Sequence, residues 1–260
     1  MKRSINSLIG YTISAKDGEL GKVNEFYFDD FTWSIRYLIV ETGNWLLDRK
    51  ILIPNTVLGK IDWNSRIFHV NLTMEQIRKS PDIDTDKTVS RQKEIELHDY
   101  YGLPVYWGND FYTTPIGMMP FVPVGLIPIA PDNKDKILKD DENSIQQSHG
   151  DPHLRSTKNV KGYHINADDG EIGHVDDYII DDEKWHLSYL VVDTHNWIPG
   201  KKVLILPRWI KFIDWSESKV IVNLSKESIK SSPEFDATQP ISNEYETELF
   251  NHYSKYVNRH

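Results

Sequence analysis

The side chains of this chain that could ligate a metal gather in its second half: His164, His174, His186 and His195, near Asp176-Asp177 and Asp181-Asp182-Glu183. Imidazole and carboxylate make a metal centre only when they converge at about 2 Å on one ion with outer hydrogen bonds to orient them. A constant shift of 152 positions, the separation of Tyr11 from Tyr163, relates the two halves, and it puts Thr12, Lys22, Ser34 and Gly43 where those histidines stand. The shared framework does not need them, and they read as surface histidines. Asp168-Asp169-Gly170-Glu171 is rich in oxygen ligands but lacks the spacing and the closing bidentate Glu of a calcium loop. Asp29-Asp30 and Asp181-Asp182 could do acid/base work in a cleft. No nucleophile motif, phosphate loop or Gly-x-Ser-x-Gly accompanies them, and adjacent acids at strand ends read as solvated turn residues. Asn71-Leu72-Thr73 and Asn223-Leu224-Ser225 fit the glycosylation pattern but are better explained as helix starts. The expectation is therefore no catalytic residue, no cofactor, no metal and no enzyme.

Binding chemistry is a better match to the aromatic residues. Tyr106, Trp107, Phe111, Tyr112, Met118 and Met119 lie between the halves and, Tyr106 aside, have no counterpart in the repeat; they are the candidate partner-binding residues. Trp33, Trp45 and Trp63 pair with Trp185, Trp197 and Trp215, so they read as core or as packing between the halves.

The elements that must position these groups are legible twice, because the duplication lets each copy check the other. Asp17-Gly18 and Asp169-Gly170 are tight-turn signals that close a hairpin. Val23, Phe26 and Phe28, with Val175, Tyr178 and Ile180, mark one buried face whose spacing asks for a bulge. Residues 35–40 and 187–192 read as central strands, and the strands that follow end at Pro54 and Pro207, where the shift slips by one. A short helical turn is expected next, then a last strand, 66–72 and 219–224. Thr73 and Ser225 are placed to cap helices 74–79 and 226–231, stopped by Pro81 and Pro233. Ser90 and Ser242 are placed to cap a further helix in each copy. The fold class is all-β: two tandem small barrels of about five strands each, with an amphipathic helix after each, packed on one another about a pseudo-two-fold. The expected domains are 1–103, a linker 104–158, and 159–260.

The linker begins Pro-, Gly- and aromatic-rich and turns polar and acidic from Asp132 to Lys158. Its apolar run, Pro115 to Pro128, is interrupted by prolines and shorter than the roughly 20 residues of a membrane span, so membrane association would be peripheral at most. With 260 residues, 39% apolar and eight Trp, the chain can bury two cores. It has no Cys, so disulfides and thiolate sites are excluded. The net charge of -9 argues against nucleic acid. No signal-peptide pattern opens the sequence, and a cytoplasmic location is the expectation.

Gly10-Tyr11, then Asp17-Gly18-Glu19-Leu20-Gly21-Lys22-Val23, then residues 37–45, then Ile51-Leu52-Ile53-Pro54 together resemble the PRC-barrel family, named for the H subunit of the bacterial photosynthetic reaction centre. The second copy resembles it through Asp169-Gly170-Glu171-Ile172-Gly173-His174-Val175 and residues 190–207. The resemblance implies an interaction or assembly module with no catalytic residues to transfer and an unidentified protein partner. An alternative it implies is a peripheral subunit of a membrane complex; a metal-binding protein or enzyme using the second repeat is the other. The H subunit's membrane helix has no counterpart in the sequence, and the closer likeness is to bacterial proteins of tandem PRC-barrels.

Overall fold

The computed structural model describes residues 1–46, 49–81, 89, 91–103, 153–194 and 201–257. The chain divides into a unit made of Met1–Arg78 with His153–His260, and a unit spanning Lys79–Pro152. In the second unit the described element is a helix, Arg91–Tyr101, in which Lys93 and Glu96 pair at 2.9 Å one turn apart.

The first unit holds both repeats as matching sheets. One contains β2 (Thr12–Ser14), β3 (Glu19–Asp29), β4 (Ile35–Glu41), β5 (Lys50–Pro54), β6 (Leu58–Asp62) and β7 (Ile67–Val70), in the order β5-β4-β3-β2-β7-β6. The other contains β9 (His164–Ala167), β10 (Gly170–Asp181), β11 (His186–Asp193), β12 (Lys202–Ile205), β13 (Ile210–Asp214) and β14 (Lys219–Val222), in the order β12-β11-β10-β9-β14-β13. The expected bulges are present, at Val23/Glu25 and Val175/Asp177. They let the long strands β3 and β10 curl so that Phe26, Phe28, Tyr178 and Ile180 all face inward.

The sheets are open, not closed barrels: among the described residues no ladder joins β5 to β6 or β12 to β13. The chain passes between those strands through a single 3-10 turn, Asn55–Val57 or Pro207–Trp209, which redirects the backbone without building a hairpin. β6 and β13 themselves were hidden from sequence reading, which expected only the turn. Their half-exposed side chains carry no clean alternation to reveal a strand.

Short helices follow each sheet. α1 (Met74–Arg78) and its repeat α4 (Lys226–Lys230) start where expected; the Thr73 and Ser225 hydroxyls accept from the amides of Gln76 and Ser228, both at 3.2 Å. The turn aspartates do more than turn. Asp17 accepts the Met74 amide at 2.8 Å and Asp169 accepts the Lys226 amide at 2.7 Å, tying hairpin to helix in both copies. The longest helix, α5 (Asn243–Val257), begins after Ser242, whose hydroxyl accepts the Tyr245 amide at 3.2 Å, and Tyr253 buries its ring 4.3 Å from that of Trp209.

Each sheet is completed by a strand from the other repeat. β1 (Lys2–Ser4) pairs antiparallel with β10, and β8 (Leu154–Ser156) pairs antiparallel with β3. β8 and the helical turn after it, α3 (Thr157–Val160), occupy residues that had been expected to be solvated linker. Leu154, Ser156, Thr157 and Val160 are buried.

Candidate functional site

The exchanged strands build a junction whose main polar contacts occur twice. Arg3 donates from Nε to Asp182 at 2.7 Å and lies 3.6 Å from the ring centroid of Trp63; Arg155 donates to Asp30 at 2.8 Å and lies 3.9 Å from that of Trp215. Ser4 donates to Asp177, and Ser156 to Glu25. The Ile35 amide donates to the Trp185 carbonyl at 2.7 Å, and the Leu187 amide to the Trp33 carbonyl at 2.8 Å. Residue i touching j while the equivalent of i touches the equivalent of j is the signature of a two-fold. The halves therefore pack as pseudo-symmetric partners, and Arg3-Ser4 and Arg155-Ser156 stand at the same 152-residue shift in the sequence.

This geometry accounts for the paired acids. Asp29 accepts the amides of Phe31 and Thr32 at 3.1 and 2.6 Å, and Asp181 those of Glu183 and Lys184 at 3.0 and 3.1 Å, so the first acid of each pair holds its own turn. The second acid, Asp30 or Asp182, holds the arginine of the exchanged strand. Trp33 and Trp185 close these turns at φ of 58° and 52°, a left-handed conformation that is uncommon for a bulky side chain. The Trp185 ring reaches across to Phe26 and Phe68, with centroids 6.4 and 5.9 Å apart. Trp185 packs between the halves as expected, the Trp33 ring stacks on Phe28 of its own half with centroids 5.5 Å apart, and Trp45 and Trp197 lie outside the described side chains.

Arg155→Ala is expected to destabilise the protein by about 2 kcal/mol, because Asp30 loses its strong partner in a largely buried setting and Trp215 loses its cation. Arg155→Lys should recover less than half, since an ammonium cannot lie flat on the ring and donate from a planar fork together. Urea unfolding measures both; a Lys variant as stable as the wild type would refute the stacked geometry.

A pocket of about 340 Å³ straddles the pseudo-two-fold, lined in equivalent pairs by Ile5 and Thr157, Asn6 and Lys158, Ile9 and Lys161, and Glu25 and Asp177. Burial pushes the Asp177 carboxyl above the usual range, opposed by the Ser4 hydroxyl and the Tyr178 and Asn6 amides. Those hydrogen bonds make Asp177 a fastener for the exchanged strand.

Of the four histidines, His164 and His174 stand opposite one another in the β9–β10 ladder. His164 pairs with Glu171 at 3.0 Å, both about half exposed; His174 lies in β10; His186 bridges Ser34 at the junction; His195 is outside the described residues. Among the described residues, no three metal-ligating side chains converge. No described helix is long and apolar enough to cross a membrane. The aromatic candidates Tyr106, Trp107, Phe111, Tyr112, Met118 and Met119 also lie outside the described residues.

A second aromatic group does stand on the described surface. Phe31 is 81% exposed and Phe212 57%, and they flank a groove of about 360 Å³ with Trp33, Pro207, Ile210 and Trp215. At the equivalent positions of the other copy stand Glu183 and Lys60. Sequence reading missed this face; the signal was two positions at which the repeats disagree, an aromatic in one and a charge in the other.

No curated protein matches the chain. Residues 2–76 match the family model of the PRC-barrel domain, a domain that is in general a non-catalytic module. Residues 2–76 thus carry a PRC-barrel domain match, and the second sheet has the same strand order.

Proposed function

We propose that the protein is a non-catalytic interaction or assembly module that binds a protein partner through the face carrying Phe31 and Phe212. The observation that carries this reading is the broken symmetry. The junction repeats in both copies and is accounted for as scaffold, whereas two large rings stand mostly in solvent on one side only. Clustered exposed aromatics around a groove are what a binding surface offers. The described acids and arginines at the junction already have partners within the fold, which favours surface complementarity over chemistry.

Affinity capture from native lysate tests it with Phe31→Glu/Phe212→Lys, which installs the residues of the other copy. The intact chain and a Lys60→Ser/Glu183→Ser control should retain the same proteins, and the double variant should lose them. Equal recovery by all three would reject this face. A chain lacking residues 104–131 supplies the parallel test of Tyr106, Trp107, Phe111, Tyr112, Met118 and Met119 as a second contact.

A further inference from the structure

The aromatic face is continuous with an unpaired strand edge. β13 ends its sheet and, among the described residues, pairs only with β14; Phe212 lies in that strand. Edges of this kind expose a row of backbone donors and acceptors to any incoming strand, and proteins commonly guard them with lysine or with irregular register. The first copy is guarded in both ways. β6 carries Lys60 at the position of Phe212, and its ladder to β7 is interrupted from Leu58 to Ile61, so Lys60 has no partner opposite. In β13 the interruption is confined to Lys211, whose charge is held by Asp168 at 2.6 Å, and Phe212 pairs with Ile221. Both edges are irregular, but at the shared position one presents a lysine and the other an exposed aromatic ring.

Charge narrows the occupant. The chain carries a net -9, so two copies repel wherever acidic surfaces meet. The charges around this groove are neutralised internally: Lys211 with Asp168 at 2.6 Å, and Arg155 and His153 with Asp30, both at 2.8 Å. A neutral apolar face beside a free edge suits a partner whose own meeting surface is neutral, apolar and edged by a strand. The same face on a second molecule has those properties, and a two-fold brings it antiparallel to itself.

We infer that two copies of this chain pair through their β13 edges, with Phe31 and Phe212 buried between them. The inference rests on the reading of this face as an interface and names its partner. Antiparallel addition extends the sheet across the pair, the backbone bonds supplying affinity and the aromatic groove the selectivity.

Sedimentation velocity of the full chain over the micromolar range is the test. The wild type should show a reversible dimer, and Phe31→Glu/Phe212→Lys should stay monomeric at the same concentrations with an unchanged circular dichroism spectrum. Lys60→Ser/Glu183→Ser should dimerise like wild type. A wild-type chain that remains monomeric at about 100 µM, a concentration at which even weak specific pairing shows, overturns the inference. Should it do so while the double variant still loses captured proteins, the face serves a different partner and only the second copy is rejected. A double variant that dimerises as tightly as wild type also overturns it.

Discussion

Gly21→Ala and Gly173→Ala are each expected to cost at least about 4 kcal/mol, enough to consume most of the 5–15 kcal/mol by which a domain of this kind is stable. Two effects combine. The residues sit at φ of 148° and 155°, backbone that L side chains rarely adopt. An added Cβ would also overlap the carbonyl oxygen of Glu41 in one copy and of Asp193 in the other. Both carbonyls are held from two sides, because Glu41 is paired to Lys22 and Lys50 and Asp193 to His174 and Lys202, at the ends of interior strands. Gly10→Ala separates the two effects: its φ is 81°, but nothing lies within 4 Å of the added carbon. It should cost only the conformational part, about 1–2 kcal/mol. Denaturant unfolding of the three variants measures the difference. A Gly21→Ala midpoint equal to that of Gly10→Ala would mean that the strands part more easily than their pairing indicates.

Removing residues 1–6 should damage the sheet farthest from them in sequence. The deletion takes away β1, the Arg3 contacts to Asp182 and Trp63, the Ser4 and Asn6 bonds to Asp177, and the buried side chain of Ile5. Asp177 is then left with a costly burial and one amide, and Asp182 with neither Arg3 nor the amino group of Met1. A loss of roughly 3–5 kcal/mol is expected. Its location is the sharper test. Hydrogen exchange should accelerate at the Asp182 amide, which donates to the Met1 carbonyl at 3.0 Å, and along β10, while β3, still paired with β8, keeps its protection. Faster exchange confined to β2 and β3, the chain neighbours of the deleted segment, would refute the exchange of strands.

Local features were readable because both copies state them. The Asp-Gly turns, the bulge after Val23 and Val175, the strand ends at Pro54 and Pro207 and the capped helices after Thr73 and Ser225 each depend on residues close in sequence. The second role of Asp17 and Asp169, as acceptors from helix amides, was not legible, since it joins residues far apart in the chain. β1 and β8 were missed for a related reason. Three residues with no alternation and no turn signal look like a tail, and their Arg-Ser repeat lies ahead of the point where the two copies become plainly alike.

Sequence alone therefore determines a duplicated β-rich chain, because turn, strand and cap preferences act over a few residues and are written twice. Tertiary structure adds what acts across the pseudo-two-fold. It shows that each repeat lends its first strand to the other, that the paired acids are turn and junction fasteners, and that Phe31 and Phe212 stand exposed beside one groove. Those facts rest on contacts between residues some 150 positions apart, where no local preference operates and only the packed fold brings the side chains together.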